Sequence, residues 1–355
     1  MKVLQVCAYA APYEGNFINS LKALDEKLKE KGHETLYAFP ISAREKDWCV
    51  ELAKTNKVYF LPLAKARIKP STYRTLKRIY KENPELEIIH THFELYDIPV
   101  ILTANKKKHK VFWHLHDPIY NYNDFHNRLM YRIQYKLLHK KATLLAVGEK
   151  VKDYAISLGF PKSQALYVPN GLNVSVFNKV EKDFNQREND FLFYGWDYHR
   201  KGVDLCAKAL QQTDKNITVQ LVGKDNTNEL IEKDFGKVEG LNVIPAVSNV
   251  NELYENAKCF LHISRAEGLS YALLEAVYAG LKVVCSDIRE NLIASEFPTA
   301  IMVQSENVDS ILQGMIKAIE DGAPSEEDIS KSRAIIEEKY SIGSWTKQML
   351  GIYGV

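Results

Sequence analysis

The chain has 355 residues, of which 46% are hydrophobic and 26% charged, with a formal net charge of +2 at pH 7. This length predicts two domains rather than one core, and no apolar run approaches the roughly 18 residues of a membrane span. The five cysteines are widely spread, which disfavours a disulfide framework or a zinc motif, and with the absence of a signal-peptide pattern predicts a cytoplasmic protein.

The first half of the chain alternates strand-like and helix-like segments. Val3 to Ala8 predicts a strand, and a loop containing Gly15 leads into an amphipathic helix. No G-x-G-x-x-G follows this or any other strand, which disfavours a dinucleotide-dependent oxidoreductase. Further strands are predicted at 87–93, 111–117 and 143–147, and helices at 124–141 and 149–158. The alternation predicts a parallel sheet covered on both faces.

Four histidines lie at the ends of two predicted strands: His90, His92, His114 and His116. Spacing of i, i+2 places both imidazoles of one strand on the same face, so metal ligation is one hypothesis. The two pairs come from different strands, and the sequence does not establish that a carboxylate joins them. We therefore predict no metal site here, and the alternative is that these are core or loop histidines.

Positive charge is concentrated in the first half of the chain. Residues 1–166 carry 28 Lys and Arg against 17 Asp and Glu, a net of +11, and the remainder has a net of −9. The segments 65–81 and 106–110 are rich in these cations, and a helix with interleaved aromatic residues is predicted from Ser71. One interpretation of this charge is that it binds an anionic membrane or an anionic acceptor. The other is that the helix is an ordinary solvated one and that the opposite charges of the two domains match each other. Nucleic acid is disfavoured because no binding motif accompanies the charge.

The second half begins with a polar linker at 178–190 and a strand at 191–195. Arg200, Lys201 and Gly202 follow at a loop that enters a helix. Two adjacent cations beside a glycine predict a diphosphate clamp, because Lys supplies a point charge and Arg a planar fork. Later strands are predicted at 219–223, 243–247, 259–263 and 299–303, and helices at 307–321 and 325–339.

Two glutamates bracket the loop after the strand at 259–263. Glu267 comes just past the strand, and Glu275 lies about one and a half turns into the next helix if Ser270 is its N-cap. Between them Gly268 permits close approach of a ligand, and the helix start suits a phosphate. Carboxylates flanking an anion site predict a nucleotide-sugar ligand. The alternative is a helix start with acidic residues and no ligand.

The string E-G-L-S-x-x-L-L-E-A-x-x-x-G-x-x-V-V-x-S-D at 267–287 resembles the donor-site signature of the retaining GT-B glycosyltransferases of family four. Lys201-Gly202 resembles the K-G motif of that family, and Pro169-Asn170-Gly171 resembles its crossing between domains. His116-Asp117 resembles its H-D strand end. The resemblance covers nearly the whole chain, but Trp196 replaces the arginine that the family carries after the strand-end glycine, so Arg200 is expected to substitute.

The resemblance implies an α/β fold of two Rossmann-like domains that face each other across a cleft. Residues 1–166 would form the N-terminal acceptor domain, together with a C-terminal helix at 341–355 that crosses back to it. Residues 167–340 would form the donor domain.

The resemblance also implies roles for individual residues. The catalytic set would be Glu267, Lys201 and His116. Glu267 would accept hydrogen bonds from sugar hydroxyls, Lys201 would neutralise the charge of the leaving diphosphate, and His116 would contact the transferred sugar. Donor contacts would come from Arg200, Gly195, Gly15, Gly268, Leu269, Ser270 and Glu275, the last binding the ribose. On the sequence alone, substitutions at Lys201, Glu267 and Glu275 are expected to leave the melting temperature nearly unaltered.

The implied reaction moves a sugar from a nucleotide-sugar, such as a UDP- or GDP-sugar, to a glycan, lipid-linked or cell-surface polysaccharide acceptor. No D-x-D triplet occurs, so we expect a metal-independent enzyme without a cofactor. The basic first domain would allow peripheral contact with the inner face of the membrane. Three alternatives remain open, namely a nucleotide-sugar epimerase, an inactive partner subunit and an inverting GT-B enzyme.

Overall fold

The computed structural model describes residues 1–116, 125–247 and 249–355. The chain forms two compact units, the first comprising Met1–Gly171 and Ile342–Val355 and the second Leu172–Ser341. The sequence placed this boundary at 166/167. It lies five residues later because the strand β7 (Ala165–Tyr167) still pairs with the first sheet, whereas Leu172 forms a bridge to Ser341 in the second unit.

The first unit contains a seven-stranded sheet whose neighbouring strands are all parallel. Its other strands are β1 (Lys2–Cys7), β2 (Glu34–Pro40), β3 (Lys57–Leu61), β4 (Leu86–His92), β5 (Lys110–Leu115) and β6 (Thr143–Ala146). Their order is β3-β2-β1-β4-β5-β6-β7. The strand order reverses between β1 and β4, and open sheets of this type bind ligands at the carboxyl ends of the strands at such a point.

Helices cover both faces of this sheet and each face has its own apolar core. The helices are α1 (Gly15–Glu30), α2 (Asp47–Thr55), α3 (Pro70–Glu82), α4 (Asp97–Thr103), α5 (Phe125–Leu138), α6 (Glu149–Ser157) and, at the end of the chain, α13 (Ile342–Tyr353). Trp345, Met349 and Tyr353 of α13 are buried in the core that contains the apolar face of α1. The predicted return of the C-terminal helix to the first domain is confirmed.

The second unit contains a six-stranded parallel sheet with the order β10-β9-β8-β11-β12-β13. Its strands are β8 (Asn189–Tyr194), β9 (Val219–Val222), β10 (Leu241–Ile244), β11 (Ala257–His262), β12 (Lys282–Ser286) and β13 (Ala300–Val303). Its helices are α7 (Val203–Gln211), α8 (Thr227–Phe235), α9 (Val250–Glu255), α10 (Tyr271–Ala279), α11 (Val308–Glu320) and α12 (Glu326–Lys339). The order reverses between β8 and β11.

The predicted α/β class is confirmed in both units. The central strands are buried along nearly their whole length because both faces of a parallel sheet are covered by helices. All five cysteines are buried and free of disulfides. Among the helices of the described residues, none is long and apolar enough to cross a bilayer.

Candidate active site

Two loops lie side by side at the point where the second sheet reverses its strand order. One follows β8 and runs through 195–202, and the other follows β11 and runs through 263–270. The backbone N–H of Arg265 donates to the carbonyl oxygen of Arg200 at 2.8 Å. The Arg265 guanidinium also donates to both carboxylate oxygens of Asp204 in α7, at 2.7 and 2.8 Å. This planar double contact fixes the second loop to the helix that follows the first.

A buried ion pair joins the two loops. Lys201 Nζ lies 2.5 Å from Glu267 Oε1, and the side chains are only 4% and 7% exposed. The Lys201 ammonium also lies 4.5 Å from the ring centre of Trp196, which is 41% exposed. A cation over an indole face is held by the ring quadrupole. The lysine and the first glutamate of the two sequence motifs are therefore direct partners.

Arg200 lies at the edge of this pair. Its Nη1 atom is 3.6 Å from Glu267 Oε2, while its Nε atom donates to Asp197 at 3.0 Å. On the other side, Nε2 of the buried His262 is 3.9 Å from Glu267 Oε1. The carboxylate of Glu267 is thus surrounded by two cations and an imidazole.

The protonation states follow from burial and from these partners. Burial by itself would raise the pKa of Glu267, but the charges of Lys201 and His262 and the hydrogen bonds from Lys201 and Ser264 together hold that pKa below its usual value. Burial also lowers the pKa of His262 to about 4, against the opposing pull of Glu267. Near neutral pH the site holds an ionised carboxylate beside a neutral imidazole.

The second glutamate of the motif has a different partner. Glu275 lies in α10 and its Oε2 atom accepts a hydrogen bond from the hydroxyl of the buried Tyr254 at 2.9 Å. Ser270 is the N-cap of α10, as predicted, since its hydroxyl oxygen accepts from the N–H of Leu273. Gly268, Leu269 and Ser270 are all buried at this positive end of the helix dipole.

Two glycines in these loops are required by close packing. Gly202 has φ of +82°, and a Cβ atom there would lie 2.5 Å from the carbonyl oxygen of Ile263. A Cβ atom on Gly195 would lie 2.6 Å from Cγ2 of Val203, the first residue of α7. Gly195 therefore lets α7 pack on the end of β8, and its contact with a donor stays a prediction.

In the first unit, the predicted sugar-contacting residue His116 belongs to a cluster of rings. Its Nε2 atom is 3.1 Å from Nδ1 of His92, and the rings of Phe17 and Phe93 pack against it. Burial lowers the pKa of His116 to about 3, which a hydrogen bond with Asn170 opposes, so the imidazole is neutral. Phe93 has φ of +61°, a strained conformation for an aromatic residue that is found most often at functional sites.

A hydrogen-bonded chain connects this cluster to the C-terminal helix. His92 Nε2 lies 2.9 Å from Gln5 Oε1, and Gln5 Nε2 donates to the Tyr353 hydroxyl at 3.1 Å. Sequence reasoning missed Gln5 and Tyr353, although a glutamine inside the apolar strand β1 is itself a signal. His262 could have been found in the same way, because it is a polar residue at the end of the apolar β11. Nothing in the sequence around Tyr254 or Asp197 indicates their role.

The remaining predicted residues are placed as follows. Gly15 is the first residue of α1, with φ of +61°, and a Cβ atom there would touch the hydroxyl of Tyr9 at 3.4 Å. Asp117, the second half of the H-D motif, lies outside the described residues. Lys201, Arg200 and Glu267 are brought together, and Glu275 is paired with Tyr254 instead. Their contacts with a donor stay predictions.

Two family models match the chain in tandem. "Glycosyltransferase Family 4" matches residues 19–176, and "Glycosyl transferases group 1" matches residues 176–337. The chain belongs to the glycosyltransferases of family four. The ion pair of Lys201 and Glu267 lies within the second match, and the histidine cluster lies within the first. The two family models together therefore match most of the length of this glycosyltransferase.

Relatives of this glycosyltransferase agree with that assignment. A phosphatidyl-myo-inositol mannosyltransferase of Mycolicibacterium smegmatis is 22% identical, over 90% of this chain and 85% of its own length. The capsular polysaccharide biosynthesis glycosyltransferase CapH of Staphylococcus aureus is 31% identical over 37% of this chain and 39% of its own length. Alr3699/HepE of Anabaena, solved with UDP-glucose, matches with a TM-score of 0.77 and 14% identity over 100% and 99% of the two chains. The last likeness supports the GT-B fold.

Proposed function

We propose that this glycosyltransferase moves a sugar from a nucleotide diphosphate-sugar to a glycan or lipid-linked acceptor, with retention and without a metal ion. The observation that carries the proposal is the contact of Lys201 Nζ with Glu267 at 2.5 Å, beside Arg200. Two cations at the end of parallel strands supply the charge that a leaving diphosphate needs. They would do so in place of a metal ion.

The ion pair is suited to exchange partners with a donor. Lys201 has three N–H groups and Glu267 accepts through two oxygens, so neither is saturated by the other. A diphosphate would take the free donors of Lys201 and Arg200, and sugar hydroxyls would donate to Glu267. Since both side chains are buried, these contacts act in a low dielectric, where they are stronger than in water.

Nucleotide binding is assigned to the helix α10 and to Glu275. The positive end of α10 favours the diphosphate, and the Glu275 carboxylate, oriented by Tyr254 at 2.9 Å, would accept from the two ribose hydroxyls. UDP and UDP-glucose are bound by the Anabaena protein of the same fold, which makes a UDP-sugar the first donor to test.

The acceptor is proposed to reach the enzyme from a membrane surface. Basic side chains of α3 and of the segment before it are exposed, namely Lys65, Lys69, Arg74, Lys77, Arg78 and Lys81. Two large apolar side chains lie among them, Leu63 at 43% and Ile68 at 76% exposure. Cations around exposed apolar groups suit an anionic bilayer, since the charges approach the headgroups and the apolar groups insert. The mannosyltransferase relative is named for a phosphatidyl-inositol, which is consistent with a lipid-linked acceptor.

The proposal is tested by a donor screen followed by product analysis. Melting temperatures are measured with UDP, GDP and their sugars, since a ligand at about 100 times its Kd stabilises by about 2.7 kcal/mol. Lipid and polysaccharide acceptors are then supplied with the stabilising donor in the presence of a chelator. We expect a glycosylated acceptor whose anomeric configuration, measured by NMR, equals that of the donor.

Three results would overturn parts of the proposal separately. A product of the opposite anomeric configuration would refute retention. Loss of transfer in the presence of the chelator, restored by Mg²⁺ or Mn²⁺, would refute metal independence. Release of an altered free sugar without an acceptor identifies an epimerase instead.

A further inference from the structure

We propose that His90, His92 and His114 form a binding site for a divalent transition-metal ion in the first unit. One ring nitrogen from each of the three lies within 4.8 Å of one from each of the others, and all three side chains are buried. These histidines belong to the first unit, whereas Lys201 and Glu267 belong to the second, and the test of metal binding needs no sugar donor. The sequence disfavoured it because the two histidine pairs come from different strands.

The sheet brings the strands together. β4 and β5 are parallel neighbours, and their register sets His92 directly opposite His114. His90 precedes His92 by two positions and so lies on the same face of the sheet. The ring of His90 is stacked on that of His114 with centres 5.3 Å apart and an interplanar angle of 6°.

Two of the three rings have buried nitrogen atoms that lack a hydrogen-bond partner of normal geometry. Nε2 of His90 is buried without a hydrogen-bond partner, and neither nitrogen of His114 has a partner of normal geometry, although the Val168 backbone lies close enough to affect its pKa. A buried polar atom that is left unpaired destabilises the folded state. A metal ion would take up the lone pairs on these buried nitrogens.

Neighbouring side chains occupy the other nitrogens, as the outer partners of metal-bound histidines do. Nδ1 of His90 is hydrogen-bonded to the Tyr353 hydroxyl at 2.6 Å. Nε2 of His92 donates to the amide oxygen of Gln5 at 2.9 Å, which leaves the lone pair of His92 on Nδ1. That lone pair accepts a hydrogen bond from the Nε2–H of His116 at 3.1 Å, which a bound ion would displace.

The donor set selects the kind of ion. Imidazole nitrogen suits Zn²⁺, Cu²⁺, Ni²⁺ and Co²⁺, whereas Mg²⁺ and Ca²⁺ require oxygen ligands. Zinc to nitrogen distances of about 2.1 Å require nitrogen separations of about 3.4 Å, so nitrogen atoms now up to 4.8 Å apart must move closer together by up to about 1.4 Å. An ion bound here would cross-link β4 to β5 and raise the stability of the first unit.

The test uses the full chain without a histidine tag, after treatment with a chelator. Co²⁺ is titrated by equilibrium dialysis and visible absorption, and Zn²⁺ is used as competitor. We expect one tightly bound Co²⁺ with the absorption of imidazole ligation, displaced by Zn²⁺, and a higher melting temperature with Zn²⁺. His90→Gln and His114→Gln should each weaken binding at least tenfold, whereas His33→Gln, outside the cluster, should bind as the wild type does.

Two outcomes overturn the proposal. One is the absence of a stoichiometric site in the wild type, and the other is Co²⁺ affinity in both glutamine variants equal to that of the wild type. If a variant fails to fold by circular dichroism, Cu²⁺ bound to the wild type is measured by electron paramagnetic resonance. Coupling to three or more nitrogens supports the site, and coupling to fewer than three refutes it.

Discussion

Lys201 and Glu267 are 66 positions apart in sequence, yet Lys201 Nζ lies 2.5 Å from Glu267 Oε1 in a site that excludes most solvent. Removing one partner of a buried ion pair leaves the other charge uncompensated, which costs about 3–5 kcal/mol. The sequence-based expectation that substitutions here leave the melting temperature unaltered therefore has to be revised. A loss of stability at these positions does not argue against a role in binding.

Replacing Lys201 tests the proposed neutralisation of the leaving diphosphate. Lys201→Ala should lower turnover by about 100-fold or more, as the loss of one transition-state donor does. It should also lower the melting temperature, because Glu267 loses its partner. Turnover is measured at saturating donor and at a temperature well below the melting point of the variant.

The matched control is Lys258→Ala. Lys258 also forms an ion pair in the second unit, with Asp190 at 2.8 Å, but away from the two loops. Lys258→Ala should lower the melting temperature and leave turnover nearly unchanged. Wild-type turnover in Lys201→Ala, or equal losses in both variants, would show that the proposed site is wrong.

Glu275 and Tyr254 should affect donor binding more than turnover. Glu275→Gln weakens a ribose contact that exists in ground and transition states alike, so it should mainly raise the KM for the donor. Tyr254→Phe removes the hydroxyl that orients Glu275 at 2.9 Å and should raise the same KM to a smaller degree. Tyr278→Phe is the control, since Tyr278 donates to Glu337 at 2.8 Å in a similar pair elsewhere. An unchanged KM in Glu275→Gln would contradict the assignment.

Gly202→Ala should displace the residue before it. The left-handed φ of +82° costs about 1–2 kcal/mol for a residue with a Cβ atom, and the added atom would lie 2.5 Å from the Ile263 carbonyl oxygen. Both the melting temperature and turnover should fall. Gly322→Ala is the control, because φ there is +66° but no atom lies within 4 Å of the added Cβ. Turnover equal in the two variants would indicate that only backbone strain matters.

The stability of the second unit should fall in mild acid because of His262. Its pKa is about 4 in the folded protein and about 6.5 when unfolded. Between these values the unfolded chain binds a proton that the folded chain does not, so stability is lost as the pH falls, at about 1.4 kcal/mol per pH unit. His262→Gln should flatten the fall of melting temperature between pH 6.5 and about 4, whereas His199→Gln, at an exposed position, should not. Parallel curves for wild type and His262→Gln would refute this assignment.

Binding to anionic vesicles tests the basic surface of the first unit. Replacing Arg74, Lys77 and Arg78 by Gln should weaken vesicle binding by about 1 kcal/mol per charge, and rising salt should weaken wild-type binding. The control replaces Lys215, Lys233 and Lys237, three exposed lysines of the second unit, and alters the net charge equally. Sedimentation with vesicles measures the effect, and equal losses in both triple variants would attribute binding to net charge alone.

The fold was largely predictable because its signals are local. Apolar runs such as 259–263 and helical periodicity after Ser270 depend on nearby residues only, and the strands and helices appear within a few residues of their predicted bounds. The domain boundary was displaced by five residues because the pairing of β7 with β6 is a contact between distant segments. The elements that were not predicted include the strands β2, β3 and β7 and the helices α2, α4, α8 and α9.

The sequence by itself determined the fold class, the family and the identity of Lys201, Glu267 and Glu275 as the residues of interest, since these rest on residue types at fixed spacings. Only the tertiary structure decided their partners. The order β8-β11 sets two distant loops side by side, so Lys201 pairs with Glu267, whereas Glu275 binds Tyr254. The register of β4 on β5 likewise gathers His90, His92 and His114. Such groupings depend on which strands become neighbours, and no spacing along one chain segment contains that information.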